Sequence, residues 1–270
     1  MTVLVIGGTG TTGSRVARGL AQRGVPARVA SRRGDGERVR FDWYDPHTHD
    51  GALAGIDAMY AVAPIGDAEP EHVMVPPLEL AARSGVRRAV LLSTSAVEPG
   101  ESGLGVVHAR LSELFDEWTV LRPAWFMENF VGEHAHAHSI RDHGEIVTAT
   151  GDGRVGFVSV DDIAAVAVAA LTDPVPHNTA HLITGPQALT YADVAAITSR
   201  LTGRTVRHRA VTAVEQTERL AAAGIPRRYA RFLAQLDEAI AAGAEDRTTT
   251  VVADITGRPP RSLEDVFADH

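Results

Sequence analysis

A short apolar strand over residues 2–6 leads into a turn with glycine at every third position, and an amphipathic helix over 12–23 follows. Glycines at such a turn let the backbone approach a phosphate closely, while the helix N terminus supplies N–H donors and a partial positive charge. The opening therefore predicts a dinucleotide-binding loop, with the diphosphate against backbone amides. The residues predicted to surround it are Gly7, Thr9, Gly10, Thr11, Thr12 and Gly13.

Apolar runs alternate with longer amphipathic stretches through the next hundred residues, which is the pattern of βαβ units. The pattern changes after residue 124, where a helix over 127–141 is predicted, and the last third is mostly helical. We expect an α/β protein with a Rossmann-type doubly wound parallel sheet over residues 1–124, to which 145–185 contributes elements. Residues 125–144 and 186–270 are expected to form a smaller, mostly helical substrate lobe.

Composition excludes several classes of function. The net charge of −8 argues against binding to nucleic acid or anionic membranes, and the absence of cysteine excludes disulfides and thiolate metal sites. No apolar run approaches the ~18 residues of a membrane span. The first strand starts too early for a targeting segment. We expect a soluble, cytoplasmic protein whose partner is a small-molecule substrate.

The end of the second predicted strand indicates which dinucleotide is bound. NAD sites usually carry an acidic residue there, which binds the ribose hydroxyls. This chain has Ser31, Arg32 and Arg33 instead, and Asp35 comes too late in the turn. Guanidinium groups suit a 2′-phosphate, so the sequence favours NADP(H). Asp42 could accept a hydrogen bond from the adenine amine, or could equally cap a turn.

The chain resembles the NmrA-like branch of the atypical short-chain dehydrogenase/reductase superfamily over nearly its whole length. The resemblance implies a Rossmann fold with a smaller C-terminal substrate lobe, and NADP(H) along the C-terminal ends of the strands. It also implies that Ala63 and Pro64 flank the nicotinamide ribose and that Pro123 lies near the carboxamide. The matching stretches are the glycine loop, Arg32-Arg33, Phe41-Asp42, Ser93-Thr94-Ser95, 119–123, 126–129, 160–164 and 256–260.

One departure from these relatives bears directly on catalysis. Many of them place a Tyr or His, followed four residues later by Lys, on the helix after the fifth strand, but this chain contains no lysine. His108 stands at the position of the acid and Ser112 at that of the lysine. His108 is the best candidate acid, because imidazole titrates near neutrality; a helix-surface histidine is the alternative. Ser95 could donate to a substrate oxygen, or could cap a turn or contact the ribose.

Trp125 and Asn129 are the candidate substrate-binding residues, since an aromatic wall suits a flat apolar substrate. Phe126 and Met127 are better explained as core packing. Histidines four residues apart at 134 and 138 lack a metalloprotease signature, so no metal site is predicted.

The predicted function is an NADPH-dependent reductase of a small conjugated or aromatic metabolite (a quinone, an enone or an imine/iminium) in secondary metabolism. Such electrophiles need less proton donation than a simple ketone. Two alternatives stay open. One is a dinucleotide-sensing regulator without turnover, which alone would need a protein partner. The other is a non-redox isomerase or cyclase that retains the fold.

Overall fold

The computed structural model describes residues 1–270 and divides into two compact units. The first comprises Met1–Pro123, Val160–Leu182 and Asp254–Gly257. The second comprises Ala124–Ser159, Ile183–Ala253 and Arg258–His270.

The strands and helices are numbered in chain order. The strands are β1 (Val3–Val5), β2 (Ala27–Ser31), β3 (Val39–Arg40), β4 (Ala58–Val62), β5 (Arg88–Leu92), β6 (Glu117–Pro123), β7 (Glu145–Thr148), β8 (Arg154–Val155), β9 (Thr179–Ile183), β10 (Leu189–Thr190) and β11 (Arg207–Ala210). The α-helices are α1 (Gly13–Gln22), α2 (His49–Leu53), α3 (Glu71–Arg83), α4 (Leu104–Leu114), α5 (Ala135–His143), α6 (Val160–Thr172), α7 (Tyr191–Thr202), α8 (Ala213–Ala222), α9 (Arg227–Ala241), α10 (Val251–Thr256) and α11 (Leu263–Ala268). Short 3₁₀ helices cover Pro46–Thr48 and Met127–Phe130.

A seven-stranded sheet forms the frame of the first unit, in the order β3-β2-β1-β4-β5-β6-β9. The pairs β2–β3, β1–β2, β1–β4, β4–β5 and β5–β6 are parallel. The order reverses between β1 and β4, and open α/β sheets bind ligands outside the carboxyl ends of the strands at such a reversal. The predicted Rossmann-type fold is therefore confirmed, and its topology directs attention to the loops after these two strands.

The central strands are buried on both faces, as a parallel sheet between helical layers requires. Every residue of β1 and β5 is buried. On one face α1 packs against α6, and their approach depends on Gly19, where a Cβ would lie 2.9 Å from Val168 Cγ2. On the other, Leu4, Met59 and Leu91 share a core cluster with side chains of α3 and α4.

The second unit is built from helices and two small sheets. Its core includes an aromatic cluster in which Tyr191 meets Phe130 and Phe157 edge-on, and His136 stacks on Phe130 with ring centroids 5.8 Å apart. Burial lowers the pKa of His136 to about 3, with smaller contributions from neighbouring cationic groups that include Arg219. The imidazole is therefore packed in its neutral form at neutral pH.

Two sequence expectations need correction here. Residues 145–159 belong to the second unit rather than to the Rossmann core, because β7 pairs with β11 and β8 with β10, both of which follow residue 185. The continuous helix predicted over 127–141 is interrupted. The 3₁₀ helix ends where Gly132 donates its N–H to Glu128 O at 3.0 Å, and α5 restarts after the N-cap residue His134.

None of the helices is both long and apolar enough to cross a membrane.

Replacing His136 with Phe should make the protein less sensitive to acid. An unfolded histidine titrates near pH 6.5, whereas folded His136 titrates near 3, so protonation between these values favours the unfolded state. The resulting loss of folding stability is absent above about pH 6.5 and grows as the pH falls towards 3. We expect the loss of Tm between pH 7 and pH 5 to shrink by roughly 4–8 °C in the variant. Calorimetry measures it, with the exposed His47→Gln as control; equal losses in wild type and H136F would refute the assignment.

Candidate cofactor and active site

The glycine loop after β1 is folded tightly around the Gly7 carbonyl. Gly7 has a φ of +71°, and Gly10 donates its N–H to Gly7 O at 2.8 Å. A Cβ at position 13 would lie 2.3 Å from the same oxygen, which no side chain can tolerate. A Cβ at Gly8 would lie 2.6 Å from Val29 Cγ1. The spacing of the glycines is thus required by backbone packing, and that packing fixes the start of α1.

The loop carries backbone N–H donors that have no acceptor in the protein. Thr9, Gly10 and Thr11 are exposed, and the N–H groups of Thr9, Thr11 and Thr12 donate to no acceptor within the protein. The hydrogen bonds from Ser14 to Gly10 O and from Val16 to Thr12 O start the helix directly behind them. Free N–H groups at a helix N terminus form a site for an anion, and a diphosphate fits this arrangement.

The turn after β2 carries the two arginines predicted to choose the cofactor. Arg32 and Arg33 are exposed, whereas Ser31 Oγ accepts the Gly34 N–H at 3.1 Å and closes the turn. Two acidic side chains of this region are paired with other arginines. Asp35 pairs with Arg38 at 3.2 Å, and Asp45 pairs with Arg40 at 2.9 Å. Arg32 and Arg33 are therefore available to bind an anionic group.

Asp42 caps its own turn, which was the second of its two predicted roles. Its Oδ1 accepts the Tyr44 N–H at 3.1 Å. Beyond it, the Tyr44 hydroxyl donates to Asp67 Oδ2 at 2.6 Å, and this bond raises the pKa of Tyr44 to about 12. The hydrogen bond links the loop after β3 to the loop after β4.

Ala63 and Pro64 lie directly after β4 and are partly exposed. The strand end before them is anchored from two sides. Trp43 donates its indole N–H to Val62 O at 2.9 Å, and a Cβ at Gly7 would lie 3.5 Å from Val62 Cβ. The loop after β4 therefore starts beside the glycine loop, at the reversal of the strand order.

The ends of β5 and β6 are held in register beyond the strands themselves. Ser93 donates its N–H to Leu121 O at 2.8 Å, and Ser95 donates its N–H to Pro123 O at 2.9 Å. Ser95 and Pro123 are thereby brought together at the carboxyl edge of the sheet, and both are buried.

His108 lies on α4 and is only 5% exposed, so it is not the surface histidine that the sequence left open. Its Nδ1 is buried without a hydrogen-bond partner. Burial lowers the pKa of His108, Arg122 lowers it further, and Glu98 acts in the opposite direction. A neutral imidazole is therefore the main form at neutral pH. It can donate one N–H, but it is a poorer proton source than the sequence suggested.

The sequence alone predicts no role for Arg122 in the candidate site. Its Nη2 donates to Glu98 Oε1 at 2.5 Å and to the main-chain oxygen of Ser95 at 3.3 Å. The available signal was an arginine that directly follows the apolar β6 run before Pro123. It was read as part of a family motif, because nothing in the sequence indicated its partners.

Trp125 and Asn129 belong to the second unit, which begins at Ala124. Trp125 is partly buried, and its main-chain oxygen accepts the Val158 N–H at 2.9 Å. Asn129 is partly buried at the 3₁₀ helix and donates its N–H to Phe126 O at 3.2 Å. Met127 is 2% exposed, as expected for core packing, whereas Phe126 is only partly buried.

The fold and the glycine loop define a Rossmann-type dinucleotide-binding protein. The model of the NmrA-like family matches residues 114–256. Together with full-length relatives above 30% identity, this match shows that the chain belongs to the NmrA-like family.

Relatives and solved structures extend over the whole chain. The uncharacterized oxidoreductase YesF of Bacillus subtilis is 44% identical over 272 residues, covering 99% of this chain and 94% of YesF. Agroclavine dehydrogenase of Claviceps fusiformis is 39% identical over 282 residues, covering 100% of this chain and 97% of that enzyme. The structure of the Escherichia coli NADPH-dependent quinone oxidoreductase QOR2, complexed with NADPH, superposes with a TM-score of 0.84 at 20% identity. The superposition covers 100% of this chain and 99% of the QOR2 chain. At that identity the superposition supports the fold alone.

Replacing Gly13 with Ala should disrupt the glycine loop, because the added Cβ meets Gly7 O at 2.3 Å. We expect dinucleotide affinity to fall more than about tenfold, measured by calorimetry. Gly51→Ala is the matched control, since a Cβ there meets nothing within 4 Å on α2. That variant should bind like wild type and be equally or more stable. Wild-type affinity in G13A would contradict the assigned loop.

Proposed function

We propose that this chain is an NADPH-dependent reductase of a small conjugated or aromatic metabolite, of the quinone, enone or imine/iminium class, in secondary metabolism. The broader prediction of an oxidoreductase is confirmed by the full-length relatives, which include enzymes named as dehydrogenases and reductases. The finer statement is supported by the chemistry of the residues in the first unit.

The observation that carries the substrate class is the state of His108. NADPH, when bound, would supply the hydride. A simple ketone would also need a strong proton donor, because the developing alkoxide is basic. The chain lacks the Tyr–Lys pair, and burial together with Arg122 keeps His108 neutral. Conjugated carbonyls delocalise the charge that develops, and an iminium loses its charge on reduction, so both suit such a site.

The turn after β2 supports NADPH over NADH. Neither Arg32 nor Arg33 forms an ion pair there, although Arg33 lies near enough to Asp35 to lower the pKa of that carboxyl, and no acidic side chain takes the place that would bind the ribose hydroxyls. A 2′-phosphate would meet one or two guanidinium groups in charge-assisted hydrogen bonds. Ser31 closes the turn by accepting the Gly34 N–H, and its hydroxyl group can still donate a hydrogen bond to the phosphate.

A panel of electrophiles tests the reaction class. NADPH oxidation should occur with quinones, enones or cyclic iminium ions, and kcat/KM should be at least about a hundredfold lower with simple ketones. Because His108 is already neutral, kcat/KM should stay flat from pH 7 to 9. Tight NADPH binding with no oxidation by any electrophile would refute the reductase and favour the regulator. Product formation without NADPH consumption would favour the isomerase or cyclase.

Removing the two guanidinium groups should weaken NADPH binding selectively. For Arg32→Ala and Arg33→Ala, loss of a charge-assisted hydrogen bond predicts a Kd for NADPH raised about ten- to a hundredfold in at least one variant. The Kd for NADH should change little. Arg38→Ala is the matched control, because Arg38 pairs with Asp35 in the same turn. Equal losses for both dinucleotides would contradict a 2′-phosphate site.

A further inference from the structure

The ion pair between Arg122 and Glu98 contributes little to global stability. The Glu98 side chain is 58% exposed, and pairs open to solvent are typically worth about 0–1 kcal/mol. Arg88 and Glu117 form the more shielded pair of the first unit, with Arg88 also donating to the main-chain oxygens of Leu171 and Asp173. Global stability therefore does not account for the contacts that Arg122 makes.

Arg122 connects three parts of the candidate active site. Its guanidinium group lies on β6, binds the Glu98 carboxylate, and donates to the main-chain oxygen of Ser95 at the end of β5. Its side chain is only 14% exposed. The position of the Ser95 turn thus depends on a hydrogen bond that crosses from one strand end to the next.

The loop that carries Glu98 is packed onto the first turn of α4. A Cβ at Gly105 would lie 2.4 Å from Glu98 O, and Gly100 donates its N–H to Gly105 O at 2.8 Å. His108 follows Gly105 by one helical turn. Because the main chain of Glu98 packs closely against Gly105, the position of Glu98 is coupled to the start of α4, the helix that carries His108.

The charged groups around His108 act against each other. Arg122 approaches from β6 and lowers its pKa, whereas Glu98 approaches from the loop and raises it. On the neighbouring α3, Glu79 is bound to Arg110 at 3.0 Å. Arg122 thus disfavours an imidazolium, while Glu98 offsets the guanidinium charge at the site.

We propose that Arg122 and Glu98 are positioning residues, whose ion pair fixes the Ser95 turn and, through the packing of the Glu98 main chain on the start of α4, holds His108 in place for the reduction. This inference rests on the proposed function and deepens it. Neither residue takes part in an atom transfer. Arg122 acts through Ser95 and His108, and Glu98 acts through Arg122 and the start of α4.

An NMR titration of the histidine side chains tests the inference without any substrate. The His108 resonance is assigned by its loss in His108→Gln. Its titration midpoint should move to higher pH in Arg122→Gln and to lower pH in Glu98→Gln. Arg122→Lys, which keeps the charge, and Arg110→Gln, which breaks the neighbouring pair with Glu79, should leave it near the wild-type value. Midpoints unchanged in both R122Q and E98Q would overturn the proposal.

Steady-state kinetics with NADPH and an accepted quinone or iminium provide the second readout. For R122Q we expect kcat/KM to fall about ten- to a hundredfold, as for a misplaced catalytic group, with the Kd for NADPH within about twofold of wild type. R122K should recover most of the loss, and R110Q should retain wild-type kinetics. A uniform loss of NADPH binding instead would show a structural role and refute the proposal. If R122Q does not fold, E98Q and R122K decide by the same measurements.

The two proposals fail separately. If wild-type protein oxidises no NADPH, the proposed reductase is refuted, while the opposite shifts of the His108 midpoint still support the ion pair. If turnover occurs but the midpoints do not move, the reductase stands and the positioning role is refuted.

Discussion

The close approach of α1 to the Gly7 carbonyl is the constraint on which the candidate site depends. A Cβ at position 13 would lie 2.3 Å from that oxygen, so helix and strand can meet this closely only through glycine. The contact places the N–H groups of Thr9, Thr11 and Thr12 ahead of the helix without partners in the protein. The same loop lies beside Val62, at the end of β4, where the strand order reverses. Backbone packing thus produces an anion site before any side chain is considered.

The chemistry at the carboxyl edge follows from how charge is distributed there. Classical members of the superfamily lower a tyrosine pKa with a lysine, but this chain has no lysine. It has instead a buried histidine whose pKa is lowered by its surroundings, beside an arginine neutralised by Glu98. A site of this kind holds and orients an electrophile better than it protonates one. The absence of the tyrosine–lysine pair therefore agrees with the conjugated and iminium substrates proposed for the protein.

Local patterns in the sequence were sufficient to predict the Rossmann fold of the first unit. The glycine spacing, the strand rhythm and the two arginines after β2 each depend on residues close together in the chain, and the Rossmann fold is confirmed. Long-range pairing was not predictable. Residues 145–159 were placed in the Rossmann core, because nothing local reveals that β7 pairs with β11 some 60 residues later. Gly132, which ends the 3₁₀ helix, was overlooked within an otherwise helical pattern.

For the candidate catalytic residues too, contacts between residues far apart in the chain could not be predicted. His108 is predicted as a candidate acid from its place on the helix after the fifth strand, but its protonation state depends on burial and on Arg122, which lies on β6. The bond from Arg122 to Glu98 joins residues 24 positions apart and leaves no periodic signal. The hydrogen bond by which Ser31 closes its turn is likewise not evident from the sequence. Residue types were therefore readable from the sequence, whereas their partners were not.

Calorimetric titration of the purified, folded protein with NADPH and NADH tests the central claim most directly. The account predicts one site per chain for NADPH, with weaker binding of NADH because the 2′-phosphate contacts are missing. If neither dinucleotide produced a binding signal, the assignment of the glycine loop, and with it the proposed function, would be contradicted.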